Sequence, residues 1–244
     1  MNPYETRKLV DEYLLFHYGE GQDVLPWEKG PKEALDFAVR SVEETVEWDE
    51  VPKEARALDV GCAVGRSSFE LARHCEEVIG IDFSAAFVDA AKENAQKGLA
   101  TFQVLEEGHV SRTREAKLPK GISPERVQFE VGDAMDLRPE LGAFDVVHGA
   151  NLVCRLKYPR LFLDRLEQLV KPGGQLALTT PCTWLEEFTP RENWPEEDTL
   201  SFLREHLEPK FVLLKLVDLP FLIRETARKY QWTVALGSVW RRIR

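Results

Sequence analysis

The pattern of apolar and polar positions alternates between two periods from about residue 56 to residue 181. Short apolar and β-branched runs, such as RALDV and EVIGID, alternate with stretches whose apolar residues recur at helical spacing. Strands that alternate with crossover helices predict a mostly parallel sheet with helices on both faces. We therefore predict an α/β fold with a Rossmann-like sheet.

Turn and cap residues give approximate bounds to these elements. Ser84 is a typical N-cap and Gly98 a typical helix stop, so they delimit the second helix of the alternation. The helix that starts at Pro159 ends before the KPGG segment. The predicted strands are residues 56–60, 77–82, 127–137, 144–153 and 175–180, and the predicted helices are residues 66–75, 84–97 and 159–170.

Three segments lie outside this alternation. Residues 1–50 look mainly helical, and residues 100–126 form a long polar insertion that we expect to be a hairpin or loop. Near the C-terminus, two apolar runs at 211–219 and 232–242 flank a helix-like segment at 221–231. We expect the two runs to close the sheet as an antiparallel pair. The predicted organisation is an N-terminal extension at 1–50 and one compact domain at 51–244.

Composition excludes several classes of partner. The chain has 244 residues, a formal net charge of −10 and a pI of about 5.2. No basic patch is large enough to predict binding to nucleic acid or to an anionic membrane. The N-terminus lacks the apolar core of a signal peptide, and no stretch has the length of a membrane span. We therefore expect a cytoplasmic protein that acts on a small molecule.

The cysteines indicate neither disulfides nor a metal site. Cys62, Cys75, Cys154 and Cys182 lie far apart and form no CxxC pair, and the five histidines show no ligand spacing with them. We predict free thiols in a reducing compartment and no metal.

A glycine turn follows the first predicted strand. The segment 57-ALDVGCAVGRSSFELARHC-75 runs from an apolar strand through Gly61 and Gly65 into an amphipathic helix. Glycines at such a turn allow a ligand to approach the backbone closely. The segment lacks both the GxGxxG pattern of nicotinamide-binding proteins and the GK[ST] of a phosphate loop. We therefore expect this turn to bind a ligand other than a nicotinamide cofactor or the phosphates of a nucleotide.

Two acidic residues follow the next strands. Asp82 ends the second strand, where a carboxylate can accept both hydroxyls of a ribose, and Asp133 follows the third. Each acid alone is more often a solvated strand-end residue. Together with the glycine turn, they resemble the Rossmann-like class of S-adenosylmethionine (SAM)-dependent methyltransferases, with Ala63 in place of a frequent third glycine. The predicted cofactor-binding residues are Asp59, Gly61, Cys62, Ala63, Gly65, Asp82, Phe83, Ser84, Asp133, Ala134, Met135 and Asn151.

Segments outside these motifs carry a narrower resemblance. From Tyr4 to Trp240 the chain is similar to the methyltransferase family of ovothiol biosynthesis, which methylates mercaptohistidine (5-thiohistidine) on a ring nitrogen. The stretches that carry it are 3-PYETRKLVDEYLLFHYG-19, 58-LDVGCAVGRSSFELAR-73, 150-ANLVCRL-156, 179-TTPCTWLEEFTP-190 and 219-LPFLIRETARKYQWTVA-235. The resemblance implies a SAM-dependent N-methyltransferase that releases S-adenosylhomocysteine (SAH), and a functional link to a sulfoxide synthase.

A thiohistidine site needs particular side chains. An arginine should bind the substrate carboxylate, and aromatic walls should exclude water around the ring. In this fold class the N-terminal helix can cover the site as a lid. Candidates for substrate binding are Tyr4, Asn151, Arg155, Thr183, Trp184 and Arg224. If the attacking nitrogen carries a proton, His17 is the first candidate base, because histidine titrates near neutrality, and Tyr18 is a hydrogen-bond partner.

Structural explanations compete with these assignments. Arg155 and Arg224 are equally compatible with ion pairs, Trp184 with packing under a loop, and His17 with a helix-end position. The 106–117 part of the insertion is either a solvated hairpin or a cover for the substrate. Two other functions also stay open: methylation of a different small amino-acid-like acceptor, and binding of SAM without turnover as the partner of another enzyme.

Overall fold

The computed structural model describes residues 3–243. Its helices are α1 (Arg7–Tyr18), α2 (Gly21–Val24), α3 (Phe37–Glu43), α4 (Arg66–Leu71), α5 (Ala85–Lys97), α6 (Pro159–Leu169) and α7 (Thr199–Leu207). Its strands are β1 (Arg56–Val60), β2 (Glu77–Asp82), β3 (Leu99–Glu107), β4 (Val110–Lys117), β5 (Val127–Val131), β6 (Phe144–Ala150), β7 (Val170–Thr180), β8 (Phe211–Arg224) and β9 (Tyr230–Arg242).

Seven strands form one mostly parallel sheet. Its order is β5-β2-β1-β6-β7-β9-β8, and β9 runs antiparallel to both of its neighbours. The predicted Rossmann-like fold class, with an antiparallel C-terminal pair, is confirmed. The strand order reverses beside β1, so a crevice opens at the carboxyl ends of β1 and β6, where ligands of such sheets bind.

Each face of the sheet packs on its own set of helices. Alternate residues of a strand point to opposite faces. Leu58 and Val60 pack in a core with α6 and α7, whereas Ala57 packs in a second core with α3, α4 and α5. Ser84 caps α5 by accepting a hydrogen bond from the Phe87 N–H, and Gly98 ends the helix with a φ of 73°. Both cap predictions are therefore confirmed.

The C-terminal segment corrects one prediction. Residues 221–231 look helical in sequence, but β8 continues to Arg224 and β9 begins at Tyr230. Leu222 pairs with Trp232 across the two strands, and Ile223 pairs with Gln231. Cross-strand pairs of aromatic and branched residues stabilise the ladder, and they outweigh the local helical pattern.

The insertion forms the predicted hairpin, and its inner face is buried. Strands β3 and β4 pair from Leu99↔Lys117 to Glu107↔Val110. Phe102 and Val104 pack in the same core cluster as Leu14 of α1. The hairpin therefore supports α1. The division of the chain at residue 50 stays a prediction.

Candidate functional site

Four parallel strands bring the predicted cofactor residues to one edge of the sheet. Strands β1, β2, β5 and β6 are neighbours, and their carboxyl ends meet at that edge. The glycine loop follows β1, Asp82 ends β2, Asp133 follows β5 and Asn151 follows β6. The strand register therefore places these four features beside one another.

Backbone strain concentrates at this edge. Of the four non-glycine residues with positive φ in residues 3–243, three lie just beyond a strand of the sheet: Ala63 after β1, Asn151 after β6 and Cys182 after β7. Their φ angles are 48°, 53° and 54°. Such conformations cost about 1–3 kcal/mol each and cluster at functional sites. The strain supports a binding site at this edge.

The glycine loop leaves no room for side chains at Gly65. Its φ is +87°, and a Cβ there would lie 2.6 Å from Cζ of Phe129. Gly61 also has a positive φ, of +76°, and a Cβ there would lie 3.1 Å from the Leu152 side chain. The loop is therefore a tight backbone turn packed against its surroundings.

The substitution Gly65→Ala tests this packing. We expect a loss of about 2–3 kcal/mol of unfolding free energy, since both backbone strain and overpacking apply. Gly98→Ala is the matched control, because its φ of +73° brings the same strain but nothing lies within 4 Å of the added Cβ. It should cost about 1 kcal/mol. Denaturant unfolding measures both, and equal losses would contradict the close contact with Phe129.

Asp59 points into the core. Its side chain is 0% exposed, and Oδ2 accepts hydrogen bonds from Ser67 Oγ at 2.7 Å and Ser68 Oγ at 2.6 Å. Oδ1 lies 2.8 Å from Nδ1 of His148. The carboxylate is fully engaged by these protein groups, and the assignment of Asp59 to cofactor binding stays a prediction. Cys62 is equally buried and offers a ligand only its backbone.

Asp82 bridges the glycine loop and the start of α5. Its Oδ2 accepts from the Ala63 N–H at 2.8 Å, and its Oδ1 accepts from the Ser84 N–H at 2.9 Å. Each carboxylate oxygen has a second lone pair. Burial raises the pKa of Asp82 to about 6, although these two hydrogen bonds oppose the shift. The carboxylate joins the loop to β2 and can still accept two hydroxyls.

Exposed apolar residues lie beside Asp82. Phe83 is 64% exposed, and Val131, which pairs with Asp82 across the strands, is 55% exposed. Asp133 Oδ1 accepts from the Met135 N–H at 2.8 Å and shapes the next turn, where Ala134 is buried. Exposed apolar groups next to polar strand ends suit a flat heteroaromatic ring. Sequence reasoning missed Val131, because a branched residue at a strand end carries no chemical signal of its own.

The N-terminal segment binds across this edge. The Tyr18 hydroxyl donates to the Val64 carbonyl oxygen at 2.9 Å, and Ser84 Oγ donates to the Tyr4 carbonyl oxygen at 3.0 Å. The Glu5 carboxylate accepts from the first backbone N–H groups of α5, those of Ala85 and Ala86. Carboxylates are favourable at helix N-termini. Tyr18 therefore holds the glycine loop, and Glu5, which sequence reasoning missed, anchors the segment.

His17 is neutral near physiological pH. Burial lowers its pKa to about 3, and Nδ1 is buried without a hydrogen-bond partner among the described residues. Asp59 and Arg66, which flank the glycine loop, are the charges that act on it. This pKa does not favour His17 as a base near neutrality, and its catalytic assignment stays a prediction. Its unpaired nitrogen is suited to a hydrogen bond with a ligand.

Arg155 and Thr183 come together next to Tyr4. Arg155 Nη1 donates to the Thr183 carbonyl oxygen at 2.7 Å, and Nη2 donates to Thr183 Oγ1 at 3.2 Å. The guanidinium carbon lies 5.1 Å from the centre of the Phe188 ring, and Phe188 lies 6.1 Å from the Tyr4 ring. Among residues 3–243, no protein acceptor bonds to Arg155 Nε. A fixed guanidinium with a remaining donor can bind a carboxylate.

Asn151 caps the end of β6. Its N–H donates to the Thr179 carbonyl oxygen at 2.8 Å, and its Oδ1 accepts from Thr179 Oγ1 at 3.0 Å. These bonds hold Asn151, whose φ is positive, between the glycine loop and the turn that contains Arg155.

Two predicted substrate residues have protein partners. Trp184 donates its indole N–H to Thr199 Oγ1 at 3.0 Å and packs edge-on against Phe202. The Arg224 side chain is 3% exposed, pairs with Glu106 at 2.7 Å and donates to the backbone carbonyl of Asp23. These partners occupy the Arg224 guanidinium and do not favour it as a clamp for a substrate carboxylate, and its assignment stays a prediction.

Comparison with known proteins shows which proteins this chain is similar to. Residues 58–178 match the family described as "Methyltransferase domain". The match covers just under half of the chain. This edge of the sheet fits SAM. It carries a glycine turn, a carboxylate with free lone pairs and exposed apolar residues at the ends of neighbouring strands.

Relatives of the methyltransferase domain differ in what their names say they do. The tRNA U34 carboxymethyltransferase of Pseudoalteromonas translucida is 27% identical over 64% of this chain and 44% of its own length. The SAM-dependent Diels-Alderase iccD of Talaromyces variabilis is 30% identical over 59% of this chain and 42% of its own length. The chain thus spans about half the length of these curated relatives.

A solved structure shares the fold over nearly the whole chain. The N-methyltransferase NodS of Bradyrhizobium japonicum WM9, in complex with SAH, covers 96% of this chain and 98% of its own, at 14% identity and a TM-score of 0.55. At this identity the likeness shows the fold alone. Within the described residues of the methyltransferase, no helix has both the length and the apolar character needed to cross a membrane.

Proposed function

We propose that this methyltransferase transfers the methyl group of SAM to an imidazole nitrogen of 5-thiohistidine. The observation that carries the proposal is Arg155, held by Thr183 and Phe188 next to Tyr4. A guanidinium at this position suits the carboxylate of an amino acid. The sequence resemblance from Tyr4 to Trp240 supplies the identity of the ring, and its sulfur would come from a sulfoxide synthase.

The acceptors named for the relatives suit this chain less well. A tRNA acceptor requires a basic surface, and this chain has a net charge of −10. A tocopherol or ubiquinone precursor, as in the names of two other relatives, needs an apolar pocket and no arginine. A small zwitterion fits both the charge and the fixed guanidinium.

In the proposed reaction the residues position and shield the reactants. SAM supplies an activated methyl group on a cationic sulfur. A lone pair of the ring nitrogen forms the new N–C bond, the S–C bond breaks, and its electron pair stays on the sulfur of SAH. Arg155 holds the acceptor carboxylate, and the Tyr4, Tyr13 and Phe188 rings exclude water. Positioning of this kind supplies most of the rate for an activated donor.

We assign His17 to cofactor binding and not to proton transfer. Its neutral Nδ1 lies among the charges that flank the glycine loop, so it can accept a hydrogen bond from the α-ammonium of SAM. His17→Phe should raise the Kd for SAM about tenfold, since a hydrogen bond to a charged group contributes about 1.5–3 kcal/mol. The pH profile of kcat between about pH 6 and pH 9 should keep its shape. A step near neutrality that disappears in the variant would restore the base assignment.

Product analysis tests the proposed function. Purified protein is incubated with SAM and 5-thiohistidine, and in parallel with histidine and a panel of other amino acids. Mass spectrometry then detects the methylated product and SAH. Methylation of thiohistidine alone supports the proposal, and NMR locates the methylated nitrogen. Methylation of another amino acid keeps the reaction class and rejects the substrate. SAM binding without SAH release from any acceptor rejects the reaction and favours a non-catalytic SAM-binding partner.

A further inference from the structure

His148 is a fully buried histidine whose two ring nitrogens both face oxygen atoms. It lies in β6, three residues before Asn151. Nδ1 is 2.8 Å from Asp59 Oδ1, and Nε2 is 3.1 Å from the carbonyl oxygen of Ser41. A carbonyl oxygen can only accept, so Nε2 must carry a proton.

Whether Asp59 is ionised decides whether Nδ1 of His148 also carries a proton. Its Oδ2 is already the common acceptor for the hydroxyls of Ser67 and Ser68. Hydrogen bonds to the charged form favour a carboxylate. Burial alone raises the pKa of Asp59, but the paired His148 and the two serine hydroxyls outweigh burial and lower it overall. An ionised Asp59 accepts from Nδ1, and Nδ1 then carries a proton as well.

The same carboxylate connects both ends of the cofactor loop. Asp59 lies two residues before Gly61, and Ser67 and Ser68 lie in the first turn of α4, directly after Gly65. Through His148 the connection continues to β6 and to the Ser41 carbonyl in α3. This hydrogen-bond network therefore holds the glycine loop through buried groups of the core.

We infer that His148 is a positioning residue: it carries both ring protons, and its buried ion pair with Asp59 holds residues 61–65 in the geometry that binds SAM. A buried charge pair costs desolvation, and its best-attested role is to specify one arrangement rather than to add stability. Removal of either partner leaves an uncompensated charge beside the loop.

NMR of the wild-type protein tests the protonation directly. With 15N-labelled histidine at neutral pH, both ring nitrogens of His148 should bear protons, because each faces an oxygen atom. A spectrum with one unprotonated ring nitrogen overturns the ion pair, including the case in which the proton resides on Asp59. This measurement requires neither a variant nor SAM.

Binding measurements test the positioning role. His148→Gln should raise the Kd for SAM about tenfold, which corresponds to about 1.4 kcal/mol. His206→Gln is the matched control, because His206 Nδ1 also lies 2.8 Å from a carbonyl oxygen, that of Phe202, but on α7. Its Kd should equal that of wild type. An unchanged Kd in folded His148→Gln overturns the proposal.

A milder variant covers the case in which His148→Gln does not fold. Ser67→Ala removes one donor from Asp59 and leaves no charge unpaired, and it should raise the Kd for SAM about threefold, or about 0.6 kcal/mol. An unchanged Kd in Ser67→Ala then overturns the positioning role. The inference uses SAM as ligand, so wild-type binding is measured first, and its absence would reject the cofactor while the NMR result still decides the ion pair.

Discussion

Asp82→Ala should abolish most of the affinity for SAM, with a Kd at least about 100-fold above that of wild type. In the cofactor complex we expect the carboxylate to accept both ribose hydroxyls, and a hydrogen bond to a charged group contributes about 1.5–3 kcal/mol. The variant also leaves the N–H groups of Ala63 and Ser84 without their acceptor. Calorimetry measures the affinity, and circular dichroism checks the fold.

The same carboxylate predicts how binding depends on pH. Because burial raises its pKa to about 6, Asp82 accepts fewer hydrogen bonds as the pH falls below that value. Wild-type affinity should therefore be full above about pH 7 and fall by up to tenfold per pH unit well below pH 6. Asp136→Ala, an exposed acid in the loop after β5, is the control and should bind like wild type. Tight binding of SAM by Asp82→Ala would contradict the ribose assignment.

Local sequence patterns predicted most of the fold. Caps and periodicity act within a few residues, so α5 begins after Ser84 and ends at Gly98 as expected. The error at residues 221–231 has a different origin. These residues form the end of the hairpin between β8 and β9, with pairs such as Ile223↔Gln231 and Arg224↔Tyr230, and a helical spacing of apolar residues does not reveal this cross-strand pairing.

The candidate site also has features that the sequence predicts and features that only the tertiary structure reveals. The glycine turn and the strand-end acids were predictable, because a parallel sheet brings successive strand ends to one edge. The role of Arg224 was not, since its partner Glu106 lies 118 residues away on an inserted hairpin. Glu5 likewise binds the start of α5 from 80 residues away. Only the tertiary fold decides whether an arginine or a glutamate is free or already paired.

His17 shows a further limit of sequence reasoning. Residue type alone gives histidine a pKa near 6.5, which suits a general base. Burial of the side chain lowers the pKa to about 3, and the same side chain becomes a neutral acceptor. A chemical role read from residue type therefore depends on solvation, which the local sequence does not encode.

Arg155→Ala should raise the KM for the amino-acid acceptor about 30-fold while the Kd for SAM stays within about twofold of wild type. Loss of a charge-assisted bond to the acceptor carboxylate accounts for about 2 kcal/mol. The guanidinium is held by Thr183 and Phe188, beyond the carboxyl ends of β6 and β7, and has no bond to the glycine loop in the described residues. Steady-state kinetics with each substrate varied separately measures both effects.

Arg160→Ala is the matched control for this prediction. Its guanidinium carbon also lies 5.1 Å from a phenylalanine ring, that of Phe202, but on α6. Both variants lose a cation–π contact, and only Arg155→Ala loses the proposed carboxylate partner. Equal KM values for the two variants would place the carboxylate site elsewhere. A KM that rises only for acceptors with a free carboxylate, and stays constant for their amides, would tie Arg155 to that group, because an amide lacks the charge that a guanidinium recognises.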